Sequence, residues 1–168
     1  MLDPELEAAL NVQLGAEMYS SHLYLAMSAY CESVNMPGAA SWFRMQADEE
    51  RAHGLKFFTY IVDRGGRVSL GAIGAPSTQF ISVLDAFEQT LQHEREVTAG
   101  IDRLYAMAVA QGDYASQVFL QWFVQEQVEE EKTAGAIVQT LATIGDNPAT
   151  LYLLDRELGS RKAGGAEA

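Results

Sequence analysis

Four glutamates and a histidine stand in positions where amphipathic helices should carry apolar side chains. Read in three- and four-residue steps, Leu10, Leu14, Glu17, Tyr24 and Cys31 share one side of a first helical segment. Phe43, Gln46, Glu50, His53 and Phe57 share one side of a second. A third aligns Phe87, Leu91, Glu94, Ile101 and Tyr105, and a fourth aligns Phe119, Phe123, Gln127, Glu130, Ile137 and Leu141. Each apolar stripe therefore carries a carboxylate near its middle. Carboxylates ionised and unpaired in a core cost several kcal/mol apiece, so they must be protonated, paired with bases or bound to metal. The bases are badly placed for pairing. Arg44, Arg51, Lys56, Arg95, Arg103 and Lys132 fall off the stripes, and the rest of the eleven basic residues lie near ends, loops or the C-terminal segment.

Metal remains as the counter-charge. The charge of four carboxylates matches two divalent ions, with His53 as a neutral nitrogen ligand, and that stoichiometry predicts a dinuclear site. Glu50 and His53 are three residues apart on one helix face and can reach a common ion. An oxygen-rich site with one imidazole suits iron or manganese better than zinc, and iron is the preferred reading. A lone Glu-x-x-His occurs often on surface helices. Its weight here comes from the three matching carboxylates.

Five helices must position these groups. Asp3-Pro4 supplies an N-cap and a proline at the first helical position, and apolar periodicity runs from there to about Val34. Asn35-Met36-Pro37-Gly38 breaks it, and a second helix runs from about Pro37 to Arg64, stopped by Gly65-Gly66. The short connection makes these two antiparallel neighbours. Val68 to Ile81 holds Gly71, Gly74, Pro76 and Ser77, too many breakers for a helix, but is long enough to cross a bundle. Within it, Phe80-Ile81 is the one place where a brief strand pairing is conceivable.

Ser82 with Asp85 resembles a capping box and opens a third helix ending at Gly112. Asp113 caps a fourth that runs to about Gly145, and Asn147-Pro148 starts a short fifth that ends near Gly159. Two helical hairpins joined by one long crossover make an all-α four-helix bundle with a short fifth C-terminal helix. Residues 1–160 are expected to form that single domain and residues 161–168 a flexible tail.

The 168-residue chain is 48% hydrophobic, enough for one compact domain with a substantial core. Its net charge of -12 comes from 23 acidic against 11 basic residues. Such a charge repels nucleic acid and anionic membranes and attracts cations. No stretch approaches the length of a membrane span, and the N-terminus lacks the pattern of an export signal. With Cys31 as its single cysteine, the chain reads as soluble and cytoplasmic.

At these residues the chain resembles the non-haem bacterial ferritins, through essentially its whole length. The likeness is carried by EMYSS at 17–21, DEERAH at 48–53, His93-Glu94, and FLQWFVQEQVEEEK at 119–132. The ligand pattern is the known one of ferritin-like carboxylate bundles. The resemblance implies a di-iron centre. Glu17, Glu50 and His53 would hold one iron, and Glu50, Glu94 and Glu130 the other, with Glu50 bridging and Gln127 lining the second position. It further implies a third iron on Glu49, Glu126 and Glu129, and electron exchange through Tyr24 and Trp122. The implied activity is a ferroxidase: Fe(II) is oxidised to Fe(III) by dioxygen or peroxide, and ferric mineral is deposited inside a homo-oligomeric 24-subunit cage. The fifth helix would line its four-fold axis.

Haem-containing relatives carry a second Glu-x-x-His on the fourth helix, where this chain has Gln127-Val128-Glu129-Glu130, and a methionine at the position of Arg51. Both departures argue against haem. Two other functions compete. A rubrerythrin-like di-iron oxidase or peroxidase would want that second motif and a rubredoxin-type cysteine module. A nucleic-acid-protecting mini-ferritin would place its ligands between subunits and often carries a basic tail, whereas Ser160 to Ala168 holds only Arg161 and Lys162. His22 and His93 lie off the stripes and read as surface residues, and Cys31 as a small core residue.

Overall fold

The computed structural model describes residues 2–161. Of the expected tail, residues 162–168 therefore lie outside the described residues. Five helices follow in order: α1 (Pro4–Ser33), α2 (Pro37–Asp63), α3 (Val83–Ala110), α4 (Tyr114–Ile144) and α5 (Pro148–Gly159). Their starts are set by the expected caps. The side chains of Asp3, Ser82, Asp113 and Asn147 each accept a backbone N–H from the first turn of their helix. Met36, before α2, makes no such bond. The Ser82 cap differs in one detail from the expected box. Ser82 accepts from the Asp85 N–H, but Asp85 accepts from Ile81 N at 3.0 Å, one residue outside the helix. That bond occupies the Ile81 backbone, and Phe80 packs on Tyr30, their ring centroids 5.3 Å apart, so no strand forms here.

The crossover runs back along α1. Asn11 donates to Arg67 O and accepts from Ser69 N, tying down one end, and the Phe80–Tyr30 contact ties down the other. The span from Asn11 to Tyr30 is roughly 28 Å of helix, well over half the length of the 30-residue α1. The crossover therefore delivers α3 to the end where α2 began, and α3 runs antiparallel to α1. Thr90 of α3 meets Met27 of α1, and Gly100 meets Gln13.

The core is in two parts. Leu6, Leu10, Leu14, Phe57, Ile61, Ile101 and Phe123 anchor one apolar cluster. Met27, Phe43, Phe87, Ile137 and Leu141, with Leu154 and Leu158 of α5, anchor the other. The carboxylates of all four long helices occupy the layer between them. The α2–α4 side is bridged largely by aromatic rings: Phe57 stacks on Phe123 at 4.3 Å and Tyr60 on Phe119 at 3.9 Å.

Candidate metal centre

Two glycines let α1 approach its neighbours at the level of the carboxylates. A Cβ on Gly54 would meet the Met18 side chain at 2.7 Å, and one on Gly100 would meet Gln13 Oε1 at 2.5 Å. Glu17 is thereby brought beside His53 on one flank and α3 on the other. Glu17, Glu50 and Glu94 are 1% exposed, His53 6% and Glu130 8%, which is the burial that the stripe pattern predicts. Their ligand atoms converge into two groups. Glu17, Glu50 and His53 offer atoms within 4.8 Å of one another, and so do Glu50, Glu94 and Glu130. Glu50 belongs to both.

Each of the other three carboxylates is held on one side by a glutamine amide. Gln13 Nε2 donates to Glu17 Oε1 at 2.8 Å, Gln46 Nε2 to Glu130 Oε2 at 2.6 Å, and Gln127 Nε2 to Glu94 Oε2 at 3.1 Å. The Tyr24 hydroxyl donates to Glu94 Oε1. An amide orients a carboxylate without neutralising it. Two oxygens, Glu17 Oε2 and Glu50 Oε1, are buried with no hydrogen-bond partner at all, an arrangement that natural cores avoid unless another group completes it. No Lys or Arg among the described residues pairs with the four carboxylates. His53 Nδ1, 3.3 Å from Glu50 Oε2, is the nearest base.

The electrostatics follow from this confinement. Burial, reinforced by the neighbouring Glu50 charge, pushes the Glu17 carboxyl well above the usual range, and burial with the Glu94 and Glu130 charges does the same to Glu50. Burial raises Glu94, although the Tyr24 and Gln127 hydrogen bonds oppose it. Glu130 is pushed up to about 8 by burial and then by Glu94 and Glu49. The same burial, with Glu94 opposite, raises the Tyr24 phenol. Two divalent cations would supply what this cluster lacks: positive charge in the centre and partners for the two orphaned oxygens.

The acids expected to hold a third ion are arranged differently. Among the described residues, Glu49, Glu126 and Glu129 do not converge into a group of the kind formed by the other five. Glu49 is half-buried and ion-paired with Arg161 at 2.7 Å, Glu129 is exposed and paired with Lys132, and Glu126 is half-buried on α4. Trp122 packs edge-on against the His53 ring, with centroids 5.2 Å apart. His22 is exposed as expected. His93 differs from its expectation: it is half-buried, bonded to Ser20 Oγ at 2.7 Å, and its ring meets Tyr24 edge-on. Sequence reasoning missed Gln13, whose spacing of four residues before Glu17 could have revealed it. It also missed the hold of Gln46 on Glu130.

The chain matches the family model described as a ferritin-like domain over residues 7–144. A bacterial non-heme ferritin of Staphylococcus epidermidis is 45% identical over 161 residues, covering 96% of this chain and 97% of the relative. One from Staphylococcus aureus is 43% identical with the same coverage. Among solved structures, an engineered closed form of the Archaeoglobus fulgidus ferritin superposes with a TM-score of 0.96 at 43% identity, covering 98% of this chain and 100% of that one. The open-pore ferritin of the same archaeon gives 0.95 at 43% identity, covering 96% and 98%.

Proposed function

The chain belongs to the ferritin family, and from that premise we propose that it is a cytoplasmic iron-storage subunit whose buried carboxylates form a ferroxidase centre. One observation carries the chemistry: two ligand groups share Glu50 in a layer where two carboxylate oxygens have no protein partner. Iron is the substrate here rather than a resident cofactor. Glu17, Glu50 and His53 take one Fe(II), Glu50, Glu94 and Glu130 take the second, and Glu50 bridges them. Binding expels the protons that burial keeps on the carboxyls. Gln13 and Gln46 each occupy one oxygen of Glu17 and Glu130 and so leave the other to face the ion, whereas Glu94 is held at both oxygens, by Gln127 and Tyr24.

Each Fe(II) gives up one electron, and the pair reduces dioxygen or peroxide by two electrons. Tyr24, bonded to Glu94, is placed to supply a further electron and the phenolic proton. Fe(III) then leaves toward a mineral held within a homo-oligomeric cage of about 24 chains. Glu49, Glu126 and Glu129 are the acids that would receive a third ion, and no haem takes part. The buried free thiol of Cys31 suits a reducing compartment.

Stopped-flow Fe(II) oxidation of Glu50→Ala and His53→Ala tests the assignment. Both variants should lose rapid oxidation and still assemble, since the two apolar clusters remain. Wild-type initial rates in either would overturn it. Gel filtration tests the assembly: a cage of about 24 chains supports storage, whereas a 12-mer or a dimer would point to the mini-ferritin or the oxidase.

A further inference from the structure

Arg161, the first residue of the expected tail, folds back from the end of α5 onto α2. Its Nη1 donates to Gln46 Oε1 at 2.6 Å and its Nη2 to Glu49 Oε2 at 2.7 Å. Its guanidinium carbon lies 5.0 Å from the centre of the Trp42 ring. The other end of the same Gln46 amide donates to Glu130 Oε2. Arg161 and Glu49 are about a quarter exposed, at 25% and 26% of their side chains, so the pair sits at the rim, while Gln46 and Glu130 are buried.

The chemistry of the three groups fixes the order of the chain. Arginine only donates, so Gln46 must turn its carbonyl oxygen toward Arg161, and this leaves its NH2 to face Glu130. The Glu130 carboxylate favours the same orientation, since a turned amide would set oxygen against oxygen, so without the guanidinium Gln46 is held at its inner end only. Glu49 has one partner in this arrangement, and that partner is a cation.

We propose that Arg161 is a latch at the rim of the centre: it is the built-in counter-cation of Glu49, which an incoming metal ion must displace, and its departure releases the Gln46 amide that orients Glu130. Arg161 is thus a positioning residue. An ion arriving at Glu49 loosens the grip on the second buried ion, which couples filling of the outer position to emptying of the inner one. The proposal rests on the ferroxidase reading in taking Glu130 as a ligand.

Calorimetric Co(II) titration under nitrogen tests it on the assembled protein, with tryptophan emission followed in a Trp122→Phe chain so that Trp42 alone reports. The parent should fill two positions per chain without a signal from Trp42, and a third should change that emission as the guanidinium leaves the ring. In Arg161→Ala the third ion should bind about tenfold more tightly, the factor expected when a charge-assisted hydrogen bond no longer competes, and with no emission change. Arg161→Lys keeps the charge but not the planar fork. It should return the third affinity to that of the parent, while Zn(II) replaces the second Co(II) as fast as in Arg161→Ala, a split that a merely structural role would not produce. A third affinity equal in parent and Arg161→Ala overturns the latch alone. A parent that binds no Co(II) overturns the metal centre itself.

Discussion

Glu130 shows what confinement does to a carboxyl group, and the consequence can be measured. Its ordinary value is 4.5 and its value in the fold is about 8. In the metal-free chain, the folded state keeps a proton that the unfolded state gives up once pH exceeds 4.5. The stability contributed by this group is therefore complete below 4.5 and is lost as pH rises toward 8. Glu17, Glu50 and Glu94 are shifted in the same direction. The unfolding temperature of the metal-free protein should accordingly fall between about pH 5 and 8, and added Co(II) should restore it at the alkaline end. A flat profile would contradict the burial of the cluster. Glu50→Leu should raise the metal-free unfolding temperature by removing an uncompensated buried acid, while Fe(II) oxidation is lost. Tyr24→Phe should leave the first oxidation intact and slow later turnovers. The burial and convergence of Glu17, Glu50, His53, Glu94 and Glu130 were legible because polarity on an apolar stripe needs an explanation. The Arg161–Gln46–Glu130 chain was not, because it depends on where one helix end meets another helix, which periodicity does not encode.

The docking of α5 is a matter of two residues from different elements. Asp155 accepts from Gly38 N at 3.0 Å and Ala39 N at 2.8 Å, and so caps the start of α2 from outside, where Met36 makes no side-chain cap. A Cβ on Gly38 would lie 1.7 Å from Asp155 O. Gly38→Ala should thus force α5 outward and cost roughly 1–3 kcal/mol in denaturant unfolding, a magnitude typical of overpacking. Asp155→Ala should cost about 1 kcal/mol through the lost cap. Helix limits were readable to within a residue or two from Asp3-Pro4, Asn147-Pro148, Gly65 and Gly112, since caps are local chemistry. Gly65 and Gly112 do take the left-handed conformation, with φ of 73° and 65°. The seat of α5 and the path of the crossover were not readable, because both are fixed by partners more than fifty residues away, Gly38 for one and Asn11 for the other.

At the scale of the molecule, α5 presents two faces. Leu154 and Leu158 are buried against the bundle, while Tyr152 and Leu153 are 61% and 63% exposed. On a chain with a net charge of -12, such an apolar face suits contact with other copies, as a cage requires. A Tyr152→Asp, Leu153→Asp double variant should sediment as small species with unchanged helix content by circular dichroism. A full cage from that variant would remove α5 from the assembly contacts. The shared position of Glu50 has a final consequence at this scale. On the proposed reading, a first ion takes the proton from the shared Glu50 and leaves that carboxylate already ionised beside the second position, so a second ion follows more readily and half-filled subunits are disfavoured. On the same reading, a population sorted in this way would meet oxygen with two reducing equivalents together, which would steer the reaction away from superoxide and let a cell convert incoming Fe(II) to a ferric store without a steady leak of radicals.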